Sequence, residues 1–139
     1  MGAAAIPSPA PTVWGWHAYE DGWDRGSDAS LPRLRTLLSV IAPQAQVWLT
    51  EQGGIVRRHL PGDDGRTQQS VQAAAADLGF LLKAAPAADR RVRRYYLYQW
   101  RGEPAPRWDS GVIAPGGQAR VSYCVFARAA AERVPAACR

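Results

Sequence analysis

Lysine is almost missing from this chain of 139 residues: one lysine stands beside sixteen arginines, and histidine and cysteine occur twice each. No apolar run approaches the roughly 20 residues of a membrane-spanning helix, so no span is expected. Cys124 and Cys138 both fall in the last sixteen residues, with no histidine or further cysteine close in sequence. That excludes a cysteine-based zinc site and leaves a disulfide open. GGIVRR and PGGQ carry neither a Walker lysine nor a dinucleotide fingerprint. PGDDGR lacks the alternating ligand spacing of a calcium loop and reads as a solvated turn. No Ser-His-Asp or Cys-His arrangement stands out, and neither a metal nor an organic cofactor is expected.

What is present is an ordinary globular balance, 47% apolar and 21% charged, of a length that fits one domain. The net charge of +5 comes from arginines that are scattered or clustered at Arg90, Arg91, Arg93 and Arg94. Without a nucleic-acid motif they read as a solvated strand entrance, so no nucleic-acid partner is expected. The start, MGAAAIPSPAPTV, has neither the basic region nor the continuous apolar core of a signal peptide. Residues 1–12 read as an Ala/Pro-rich leader or linker, 13–132 as the domain and 133–139 as a tail.

Three segments repeat one plan. TVWGWHAY (12–19) is rich in β-formers, and SLPRLRTLLSVIA then places Leu31, Leu34, Leu37, Leu38 and Ile41 at helical spacing. Ser30 is a candidate N-cap, Pro32 suits a first turn, and Pro43 ends the helix. QVWLT (46–50) is followed by a loop to Arg66 and a helix from Thr67 with a stripe of Val71, Ala74, Ala75, Leu78, Leu81 and Leu82. RVRRYYLYQW (91–100) leads through a Pro/Gly-rich loop to a helix bearing Val121, Val125 and Phe126. Strands alternating with amphipathic helices predict an α/β fold of three parallel β/α units.

The loops that follow strands are long and hold Trp, His, Glu, Asp and Gly, as expected where parallel α/β folds keep their chemistry. Glu51 ends the second strand, directly before Gln52-Gly53-Gly54. Strict alternation would give Val47, Leu49 and Glu51 one face, Val13, Gly15, His17 and Tyr19 another, and Tyr96, Tyr98 and Trp100 a third. If these are inward faces, Glu51 lies between His17 and Tyr19 on one side and Trp100 on the other. A carboxylate beside a phenol and an indole suits a sugar ring: the indole stacks on its C–H face and the carboxylate attacks the anomeric carbon. The competing readings are a salt bridge from Glu51 to Arg57 or Arg58, core packing for Trp100, and a structural hydrogen bond for His17.

Four segments in order, VWGWHAYED, VWLTEQGGIVRR, RRYYLYQWRG and RWDSGVIAPGGQARVSY, resemble the last three units of bacterial (β/α)₈-barrel retaining glycoside hydrolases. The likeness covers nearly the whole chain after residue 12. It implies a partial TIM barrel, strands six to eight, with Glu51 as the nucleophile. It also implies substrate contacts from His17 and Tyr19, a Trp100 floor for the reacting sugar, and Trp16 and Gln52 as secondary contacts. The expected partner is carbohydrate, and export is expected of full-length relatives only.

A whole barrel takes about 250 residues, so the units carrying the acid/base carboxylate have no counterpart here. Retaining hydrolysis needs both carboxyls, and Glu20, Asp21, Asp24, Glu103 and Asp109 offer no evident replacement. The expectation is therefore a truncated or mis-started hydrolase-like chain, inactive alone or dependent on a missing N-terminal half. Three parallel strands with open edges point to a complementary half or self-association. The alternative is a non-catalytic carbohydrate-binding or assembly fragment.

Overall fold

The computed structural model describes residues 9–25, 30–59, 68–104, 107–130 and 134–138. Three strands, β1 (Val13–His17), β2 (Gln46–Gln52) and β4 (Val92–Leu97), form a parallel sheet in the order β1-β2-β4. Helices α2 (Ser30–Ile41) and α3 (Val71–Ala88) make the crossovers, and α4 (Val121–Ala130) packs on α3. The three β/α units predicted from sequence are therefore present. PGDDGR and Thr67 lie outside the described residues; α3 itself begins at Val71, where Ser70 caps it by accepting from Ala73 N–H at 3.0 Å.

The helices bury one face of the sheet. Leu34 and Leu38 of α2 and Leu81 and Ala85 of α3 close over Val47, Leu49 and Val92. Alanines at 74, 75 and 85 let α3 lie close to its neighbours, and buried Asp77 accepts from Gln69 Nε2 at 2.7 Å. The other sheet face is exposed at Val13, Gly15, Thr50, Arg94 and Tyr96. This corrects the face assigned to Leu49, which is fully buried under the helices; Trp48 takes the open side, against Tyr96. It also corrects Tyr19, which opens the short helix α1 (Tyr19–Trp23) instead of continuing β1.

Ser30 begins α2 as expected, yet the carboxylate that receives the helix end comes from α1. Asp21 accepts the Leu31 N–H at 2.9 Å and the Ser30 hydroxyl proton. Trp16 Nε1 donates to the same hydroxyl at 3.1 Å, so strand, helix start and cap are one bonded chain.

Two loops that follow strands are stitched together by a short antiparallel ladder, β3 (Arg57–Arg58) with β5 (Trp108–Asp109). Asp109 sits at its end, nearly buried and held by both Arg120 terminal nitrogens at 2.8 and 2.7 Å and by Gly111 N–H at 3.0 Å. Beyond α4, Cys124 and Cys138 form a disulfide that ties the terminal 3₁₀ turn (Ala136–Cys138) to the helix.

Gly53 and Gly54 explain the abrupt end of β2. A Cβ on Gly54 would run into the backbone of Ala74 on α3, and one on Gly53 into the Tyr98 carbonyl and Ser110. Gly54→Ala is expected to cost about 3 kcal/mol, read as a lower urea midpoint, because neither side of that contact is a flexible side chain.

Burial alone would raise the Asp109 carboxyl, but the Arg120 hydrogen bonds, the Gly111 N–H and the charges of Arg120 and Arg57 outweigh it and hold it below the ordinary range. A depressed carboxylate contributes stability that is complete above its unfolded value, about 3.9, and lost as pH falls through the native value. Asp109→Asn should cost about 3 kcal/mol at neutral pH and flatten the acid limb of a melting-temperature profile.

Candidate active site

Regular alternation would leave Glu51 on the helix side with Val47 and Leu49. The structure turns it the other way. Trp16 pairs with Leu49 and His17 with Glu51, so one extra residue, Thr50, is accommodated by a bulge at the strand end. A second register irregularity separates Leu49 from Gln52 on the β4 side. His17 alternates with Val13 and Gly15 on the open side, and Glu51 joins it there. His17 Nδ1 lies 3.9 Å from Glu51 Oε2, with the two side chains 56% and 42% exposed.

Tyr19 completes the group from the start of α1. Its hydroxyl donates to the Tyr98 carbonyl at 3.5 Å, and the Glu51 carboxylate lies close enough to act on its ionisation. Its ring meets Trp108 edge-on at 4.7 Å and faces His17 at 6.5 Å. Burial first, then the charge of Glu51, push the phenol well above its ordinary range, so it stays a proton donor beside the carboxylate.

Ser110 fixes the floor of this group. It donates to the Tyr98 carbonyl at 2.5 Å, receives Trp108 Nε1 at 3.1 Å, and its N–H reaches Gln99 Oε1 at 3.4 Å. Tyr98, Trp108 and Ser110 are neighbours of the site that sequence reasoning did not select. The signal was the period-two spacing of Trp108 and Ser110 within RWDSG, one of the segments carrying the family resemblance.

Two of the remaining sequence candidates, Trp16 and Gln52, are turned away from this group. Trp16 packs against the helix-covered core. Gln52 is fully buried; its amide lies near the Tyr95 ring, whose hydroxyl donates to the Leu81 carbonyl, and neither amide atom makes a well-formed hydrogen bond among the described residues. It has no surface from which to meet a ligand directly. Trp100 stands just past β4, 57% exposed, edge-on to Tyr123 at 5.9 Å. The salt bridge to Glu51 is not seen among the described residues: Arg58 pairs with Glu20 and stacks over Trp23 at 5.6 Å, while Arg57 lies opposite Asp109 in the backbone register of the ladder. Among the described residues no cluster of three His, Cys, Asp or Glu side chains is arranged to hold a metal.

Solved structures supply the fold's relatives. A β-D-glucuronidase from Dictyoglomus thermophilum superimposes with a TM-score of 0.59 at 11% identity, over 88% of this chain and 23% of its own. A Faecalibacterium prausnitzii β-glucuronidase gives 0.53 at 15%, over 88% and 22%. The Bifidobacterium dentium β-glucuronidase, complexed with coumarin-3-O-glucuronide, gives 0.52 at 14%, over 88% and 21%. This chain thus spans less than a quarter of each. The likeness shows the fold, a three-unit parallel α/β piece that fits part of a barrel. No family model and no curated protein matches the chain.

A raised phenol has a readable consequence. Its folded value exceeds the unfolded one, so stability is complete below about pH 10 and falls as pH rises above it. Tyr19→Phe should shallow that alkaline loss in urea titrations between pH 9 and 11, with half-buried Tyr95, also raised by desolvation, accounting for the remainder.

Proposed function

We propose that this chain is the nucleophile-bearing part of a retaining glycoside hydrolase of the (β/α)₈-barrel kind, with Glu51 as the nucleophile. The observation that carries the reading is the placement of Glu51 at the carboxyl end of the central strand, bracketed by His17 and the protonated Tyr19. Attack on an anomeric carbon needs an ionised carboxylate, and a neutral phenol beside it adds a polar neighbour without a charge that would neutralise it. His17 and Tyr19 meet sugar hydroxyls at the rim. The exposed indole of Trp100 offers a stacking face, and Trp108 supports Tyr19 from behind. No cofactor enters this chemistry.

The second carboxyl must come from outside the described group. A retaining pair sits about 5–5.5 Å apart. Glu20 is engaged by Arg58, Asp21 caps α2, and Asp109 is locked to Arg120. Those engagements favour a chain that binds sugar by itself and turns it over only with a complementary barrel half supplying the acid. The glucuronidase relatives make aryl glucuronides the first substrates to try, alongside other aryl glycosides.

Two measurements test this. A version extended upstream, or mixed with the complementary half, should hydrolyse an aryl glycoside, and Glu51→Gln should lower the rate at least about 10³-fold. Full activity in the Glu51→Gln protein would remove the nucleophile assignment. The chain alone should show oligosaccharide-dependent quenching of tryptophan fluorescence without turnover, reduced by Trp100→Ala. A folded sample that gives no such response would count against sugar binding at this rim.

A further inference from the structure

A buried hydroxyl must place one proton and fill two lone pairs. In Ser110, 1% exposed, the proton goes to the Tyr98 carbonyl at 2.5 Å and one lone pair receives the Trp108 Nε1–H at 3.1 Å. That carbonyl is fixed relative to the strand carrying Glu51, because the Tyr98 N–H donates to the Gln52 carbonyl at 2.9 Å. Tyr19 reaches the same carbonyl only at 3.5 Å, the long limit of a hydrogen bond. Two hydroxyls therefore compete for one acceptor, and the short contact belongs to Ser110.

The weaker competitor has another acceptor beside it. The Glu51 carboxylate lies close enough to act on the ionisation of Tyr19, and a hydrogen bond to a charged acceptor is roughly twice as strong as one to a neutral carbonyl. We propose that Ser110 is a positioning residue for Glu51: by holding the Tyr98 carbonyl, it leaves the Tyr19 proton to the carboxylate. Trp108 serves the same end, since its N–H sets which way the Ser110 hydroxyl points. A phenol donating to one carboxylate oxygen leaves the other to face a ligand. As a catalytic role this rests on the reading of Glu51 as the nucleophile; as a hydrogen-bond preference it stands without it.

Nuclear magnetic resonance of the whole chain, isotope-labelled at the glutamate side-chain carboxyl, tests this without turnover. The Glu51 signal is the one lost in Glu51→Gln. At neutral pH Tyr19→Phe should displace that signal. Ser110→Ala should displace it in the same direction, by half as much or more, because the freed Tyr98 carbonyl draws the Tyr19 proton away. In the Tyr19→Phe background Ser110→Ala should add nothing, since the proton it redirects is gone. A signal unmoved in Tyr19→Phe, or in folded Ser110→Ala protein, would overturn the proposal. So would an equal displacement with and without the Tyr19 hydroxyl, the mark of a merely structural role. If Ser110→Ala does not fold, Trp108→Phe replaces it, keeping a ring and losing the N–H. It should move the signal in the same sense by less, and no movement overturns the proposal equally. The nucleophile reading is decided separately, because full hydrolysis by an active Glu51→Gln protein would remove it and leave this contact standing.

Discussion

Everything at the candidate site depends on how β2 stops. The strand is bonded on both flanks, and its last residues are squeezed between α3 and the turn after β4. Two glycines make that contact because any side chain would displace backbone from backbone. The bulge one turn earlier is the other half of the same constraint: an extra residue lets the chain enter the glycine contact and still swing Glu51 toward His17. Tyr19, Ser110 and Trp108 then assemble around a carboxylate whose direction is already set.

Much of the fold was legible because its periodicities are long. The α2 and α3 stripes ran for several turns, and the alternation of strand and helix pointed to parallel units directly. The site was legible in its members Glu51, His17 and Tyr19, but not in the geometry that joins them. Strict alternation put Glu51 with Leu49, and a bulge, invisible in side-chain chemistry, overruled it. Tyr19 was read as strand because VWGWHAY is continuously β-forming, whereas the structure turns into α1 at that residue. The β3–β5 ladder joins segments fifty residues apart, so nothing local could announce it. Asp109 was read as no evident replacement for the missing acid, and its buried ion pair escaped notice for the same reason: its partner, Arg120, lies across a loop.

The open sheet face carries its own polar cover. Val13 and Tyr96 are exposed, yet Arg94 lays its guanidinium 4.8 Å over the Trp48 ring, giving an indole a polar cover. The same strands are sheltered on their far side by α2 and α3, so the hydrophobic core itself is finished within the chain.

The bond between Cys124 and Cys138 has a practical side. Because Arg128 also grips the Cys138 carbonyl, the chain's last turn is held to α4 by one covalent link and one charged contact. Thiols made in a reducing cytosol stay apart, while an oxidising compartment joins them. Two preparations identical in sequence would then differ by a pair of hydrogen atoms, and mass spectrometry of the intact polypeptide would report which environment each had passed through.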